Sequence, residues 1–126
     1  MCTRIHLLQE WAHDKANRNL SHRILQTKKD LLEYSGEDFL LGLFSPSHLP
    51  YHYEQNDETP SLADMTRAAI KKLSKDSNGY VLFVEAGRID HAHHSNKARK
   101  AVDEVMKETY ERFELIFHNE CKILYS

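Results

Sequence analysis

Residues 80–94 read YVLFVEAGRIDHAHH. The first five, Tyr80 to Val84, are β-branched, aromatic or apolar without alternation, the pattern of a strand buried on both faces of a parallel sheet. Glu85 closes this run, Ala86 and Gly87 follow as a small flexible pair, and Asp90, His91, His93 and His94 then crowd together. Open parallel sheets bind ligands beyond the carboxyl ends of their strands, so these polar side chains stand where a site belongs. Asp90 and His94 are four apart, and one helical turn would set both over a single ion. Carboxylate with imidazole suits zinc, whereas an all-oxygen setting around Glu85 suits magnesium. The plainer alternative pairs Arg88 with Glu85 and leaves His91 and His93 solvated at the opening of a helix.

Upstream, the preceding helix is predicted from Thr59, as N-cap with Pro60 at the first helical position, to about Lys75, with Leu62, Met65, Ala69, Ile70 and Leu73 on one face. Asn78-Gly79 stops it. Before it, Asp38 to Phe44 contains the run FLLGLF, a second strand of the doubly buried kind, and Ser45 to Glu58 reads as an irregular loop. Thr27 and Asp30 form a capping box with Asp in the Glu role, opening a helix through Tyr34 that Gly36 ends. His22 to Gln26 is a short extended candidate. Ile5, Leu8, Trp11 and Ala12 give an amphipathic helix over Ile5 to Arg18, and helical periodicity returns over 95–117. The alternation of helix and strand implies an α/β fold with a mostly parallel sheet flanked by helices.

Composition narrows the partners. Seventeen basic and nineteen acidic side chains give a net charge of −2 in 126 residues, without a basic run. No electrostatic footprint for nucleic acid or for an anionic membrane surface results. No apolar stretch is long enough for a transmembrane helix, and the first twenty residues lack a secretory h-region. Cys2 and Cys121 form neither a CxxC motif nor a disulfide framework. The nine histidines raise the question of a metal site; those at 6, 13, 22, 48, 52 and 118 are scattered, and the surface is their default position.

The longer pattern is more specific. GYVLFVEAGRIDHAHHSNKARKAVDE resembles the Phe-Val-Glu-Gly-Gly-Arg-Ile-Asp-His-Gly-His-His segment of animal-type alkaline phosphatases. LLGLFSPSHLPYHYEQNDETPSLADMTRAAIKKLSK is similar to the same family in register, and LLQEW, Leu7 to Trp11, fits the helix before these elements. The resemblance runs over 6–106 and implies a single partial alkaline-phosphatase-like domain over 1–126, with a divergent tail at 107–126.

In that family a serine takes the phosphoryl group from a phosphate monoester and water hydrolyses the phosphoserine, with two zinc ions and a magnesium organising the site. Carried onto this sequence, the resemblance implies Glu85 as a magnesium ligand and Asp90 and His94 as two of the three protein ligands of one zinc. It implies His91 as a residue that orients the phosphate or its waters, and Arg88 as structural. Family members of this type are homodimers, lipid-anchored on the extracellular face of the plasma membrane. Neither signal nor anchor is expected in this chain, and Asn19-Leu20-Ser21 is its glycosylation sequon.

The chain also departs from the family pattern. Ala86 and Ala92 stand where the usual motif has glycine, which matters if the backbone there needs positive φ. Ser45 and Thr59 replace the acidic residues with which some members hold calcium, so no calcium site is expected. No Asp-Ser-Ala nucleophile segment exists among the nine serines, and the other zinc ligands and the phosphate-clamping arginine are missing. The expectation is an internal piece of a longer enzyme, inactive alone. A non-catalytic truncated product, with weak metal binding or an interaction role, is the alternative.

Overall fold

The computed structural model describes residues 3–107. The chain opens with α1 (Thr3–Asn17), which ends where Asn19 takes a φ of 53°. It continues through β1 (His22–Leu25), α2 (Lys28–Glu33) and β2 (Phe39–Gly42). A 3₁₀ turn at His52–Glu54 interrupts the following loop, and α3 (Leu62–Leu73), α4 (Gly87–His94) and α5 (98–107) complete the described residues. Of the periodicity expected over 95–117, residues 98–107 are helical, 95–97 link α4 to them through a turn, and 108–117 lie outside the described residues.

β1 and β2 pair in parallel, His22 opposite Phe39 through Leu25 opposite Gly42, with α2 as the crossover between them. Parallel neighbours require such a crossover, and here the helix is six residues long. Its start follows the expected chemistry: Asp30 N–H donates to the Thr27 hydroxyl at 3.1 Å, and Thr27 N–H donates back to the Asp30 carboxylate at 2.9 Å. The Ser21 hydroxyl donates to Asp38 at 2.7 Å and accepts from its backbone N–H at 2.9 Å, pinning the entrances of both strands together. On the other side of β1, Trp11 of α1 meets the His22 ring edge-on at 5.6 Å.

Two clusters are buried. Leu25, Leu31 and Tyr34 form the first, with Leu40, Phe44, Met65 and Ala68 packed against them. The Tyr34 hydroxyl donates to the Ala68 carbonyl at 2.8 Å, so burying the ring leaves no unmet donor and ties α2 to α3. Tyr51, Ala92 and Ala101 form the second, gathering the loop, α4 and α5.

Three expectations need correction. The cap of α3 is Ser61, not Thr59: Asp64 N–H donates to the Ser61 hydroxyl and Ser61 N–H to the Asp64 carboxylate, both at 3.1 Å. Thr59 instead donates to Asn56 Oδ1 at 2.9 Å, closing a turn, and Pro60 is fully buried ahead of the cap. Burial pushes the Asp64 carboxyl up, but the Lys28 ammonium at 2.9 Å and the Ser61 groups outweigh it and hold the carboxyl below its ordinary range. Second, the run from Asp38 to Phe44 is not buried on both faces, since Phe39 in β2 and Leu43 just after it are exposed. Third, the strand expected over Tyr80 to Val84 does not form; Val81 is 95% and Phe83 89% exposed. The second and third share a physical reason: a strand exists only by pairing, and the described residues hold a two-stranded sheet.

Candidate functional site

The chain turns from the extended segment into α4 at Ala86, whose φ of −102° is open to any L-residue. The alanine there therefore meets no demand for positive φ. Ala92 is 0% exposed and its methyl fills the contact with Tyr51 and Ala101, so the second alanine is a packing residue.

α4 brings Asp90 and His94 together as the spacing predicts. His94 Nε2 lies 3.4 Å from Asp90 Oδ2, and the two side chains are 78% and 71% exposed. A carboxylate and an imidazole at this separation, open to solvent and one helical turn apart, suit a shared cation as two of its donors. Glu85 stands elsewhere. It lines a shallow pocket of about 130 Å³ with Leu49, Ser61, Met65, Arg88 and Glu104, which Asp90 and His94 do not line. Among the described residues, no group of three or more His, Cys, Asp or Glu side chains converges on one point.

His91 turns toward a different set. Its Nδ1 is 3.3 Å from Arg88 Nη1, and its ring meets the His48 ring at 4.3 Å with the planes at 69°. The Arg88 guanidinium in turn lies 3.7 Å over the centre of the Tyr51 ring, a cation–π contact that holds it flat. Arg88 Nε is buried with no hydrogen-bond partner. His93 is exposed.

Sequence reasoning missed the loop's part in this arrangement. His52, assigned to the surface by default, is half-buried: its N–H donates to Glu104 at 2.6 Å and its ring Nδ1 reaches Asp103 at 3.1 Å. Lys100 reaches Glu54 at 2.7 Å and sits over the Tyr51 ring at 4.3 Å. The Lys100 and Tyr53 hydrogen bonds hold the Glu54 carboxyl below its ordinary range. The available signal was the aromatic pair Tyr51 and Tyr53 beside Pro50, in a segment otherwise read only as irregular.

By architecture this is an α/β chain, with a parallel β–α–β unit and a short helix, α4, that has an acidic first turn and an imidazole-rich last turn. The chain belongs to the alkaline phosphatase family, whose model, described as alkaline phosphatase, matches residues 3–119. It is 47% identical over 104 residues to a membrane-bound alkaline phosphatase of Bombyx mori, covering 80% of this chain and 19% of that one. An alkaline phosphatase of Gadus morhua is 45% identical over 104 residues, covering 80% of this chain and 21% of its own. Among solved structures, the Thermus thermophilus alkaline phosphatase superposes with a TM-score of 0.71 at 33% identity, over 86% of this chain and 24% of that one. The chain thus spans about a fifth of the length of the curated relatives it matches.

Proposed function

We propose that this chain is a partial domain of a metal-dependent hydrolase of phosphate monoesters, and that it supplies metal ligands rather than the nucleophile. The observation that carries the reading is the Asp90–His94 pair, 3.4 Å apart on one turn of α4. Asp90 and His94 would hold a zinc ion and Glu85 a magnesium ion, while His91 would orient a phosphate oxygen. When bound, such cations supply the positive charge that activates a nucleophile and stabilises a leaving oxygen. The chain's own groups bind and orient: two oriented donors on α4, a carboxylate on the neighbouring pocket, and a ring fixed against Arg88.

Phosphoryl transfer through a phosphoserine would need a serine that this sequence does not contain in its family setting. The homodimeric state and a lipid anchor on the extracellular face of the plasma membrane belong to the same proposal, carried by the family and by the membrane-bound relative. No helix of the described residues is long and apolar enough to cross a membrane. The second reading is a non-catalytic product with weak zinc binding, favoured by the exposure of Asp90 and His94.

The test is made in a complete alkaline phosphatase carrying this segment. Asp90→Ala and His94→Ala should each remove zinc, read by mass spectrometry, and nearly all turnover. Glu85→Gln should be milder and partly restored by added magnesium. His13→Ala, on the exposed side of α1, should change neither quantity. Full zinc content with near-normal turnover in His94→Ala sinks the assignment.

A further inference from the structure

We propose that Arg88 is a positioning residue that fixes the tautomer of His91, leaving its Nε2–H as the ring's single donor. The hydrogen-bonding capacity of the two partners sets their roles. A guanidinium has five N–H donors and no acceptor, so the ring nitrogen 3.3 Å from Arg88 Nη1 must accept. In a neutral imidazole the other nitrogen then carries the hydrogen.

The guanidinium is held in place to enforce this. The Tyr51 ring lies beneath it at 3.7 Å, and Tyr51 is itself buried with Ala92 and Ala101. His48 closes on the His91 ring from its own side, at 4.3 Å between centroids. A ring flip would keep the His48 contact but set Cδ2–H against the guanidinium, losing the hydrogen bond.

The same molecule contains the opposite arrangement at two half-buried rings and at the exposed His6, whose Nδ1 lies 2.7 Å from a Glu10 carboxylate oxygen. His52 Nδ1 faces the Asp103 carboxylate at 3.1 Å, and His22 Nδ1 faces the Leu20 carbonyl at 3.1 Å. Carboxylate and carbonyl oxygens only accept, so these two rings carry hydrogen on Nδ1. His91 thus differs from them in presenting Nε2–H, the group from which an anionic oxygen accepts. Its use toward phosphate rests on the function proposed above; the tautomer does not.

The test is ring nitrogen NMR on the 126-residue chain labelled with ¹⁵N histidine, at about pH 8, above the ordinary imidazole pKa of about 6.5. His91 should show a bare Nδ1 and a protonated Nε2, with His22 and His52 showing the reverse. Arg88→Met should move both His91 nitrogens to averaged positions while His22 and His52 keep theirs. Arg88→Lys, which retains a donor, should preserve the wild-type signature. A wild-type His91 protonated on Nδ1, or one whose signals are the same in Arg88→Met, overturns the inference. Neither metal nor substrate enters the measurement, so such a result would leave the hydrolase reading standing, and a failure of that reading would leave the tautomer standing.

Discussion

At the scale of single residues, the cap of α3 separates two neighbouring hydroxyls, Thr59 and Ser61, of which only Ser61 has an acidic residue three positions on. Both Thr59 and Ser61 precede an apolar helical run, and Pro60 between them favours Thr59 by its fitness for a first helical position. The structure gives the cap to Ser61 because Asp64, three residues on, can return the hydrogen bond. Ser61→Ala should therefore cost about 1 kcal/mol, the usual worth of an N-cap. Thr59→Ala should cost less, since the hydroxyl lost there serves one turn bond to Asn56. Urea midpoints of the two variants check the order. Thr27 was legible because no competing hydroxyl and proline stand beside it; Ser61 has its Asp at the same spacing, but Thr59 and Pro60 draw the reading away. Asp90 and His94 were legible as a pair because helical spacing alone brings them together. The pocket that Glu85 shares with Leu49 and Met65 was not, because it depends on how segments distant in sequence meet.

At the scale of elements, the parallel pair and its crossover were readable from alternation of apolar runs and caps, and each strand lies within a residue or two of its expected limits. Gly42 shows how tightly the end of β2 is held against Phe44, two residues on. A Cβ placed there would stand 2.7 Å from Phe44 Cε2 and 2.9 Å from Phe44 Cζ. That half-buried ring packs on the Leu25, Leu31 and Tyr34 cluster, so a shift of it would disturb that contact. Gly42→Ala should destabilise the chain by about 1–3 kcal/mol through overpacking, read as a lowered thermal midpoint. Gly36→Ala should also destabilise, but through its φ of 111° rather than a clash, since open space surrounds it.

At the scale of the whole molecule, what the sequence could not disclose is how much of the sheet is present. Composition and periodicity mark 80–84 as a buried strand, yet burial is a property of neighbours, and Val81 and Phe83 stand in solvent. Exposed apolar chain with free edges associates with itself. The 126-residue chain should consequently sediment as a concentration-dependent mixture, and Val81→Lys with Phe83→Lys should shift it toward monomer. Sedimentation velocity at several concentrations checks this; a wild-type chain that stays monomeric throughout contradicts it. The two separate buried clusters carry a consequence of another kind. Trp11 is the chain's single tryptophan and sits against His22, beside the first cluster, so its emission follows the docking of α1 on the sheet and is blind to the Tyr51 cluster. Far-ultraviolet ellipticity sums over α4 and α5 as well. Whether the two signals melt on one curve or two therefore measures how cooperatively the halves of this chain are coupled, with no label added.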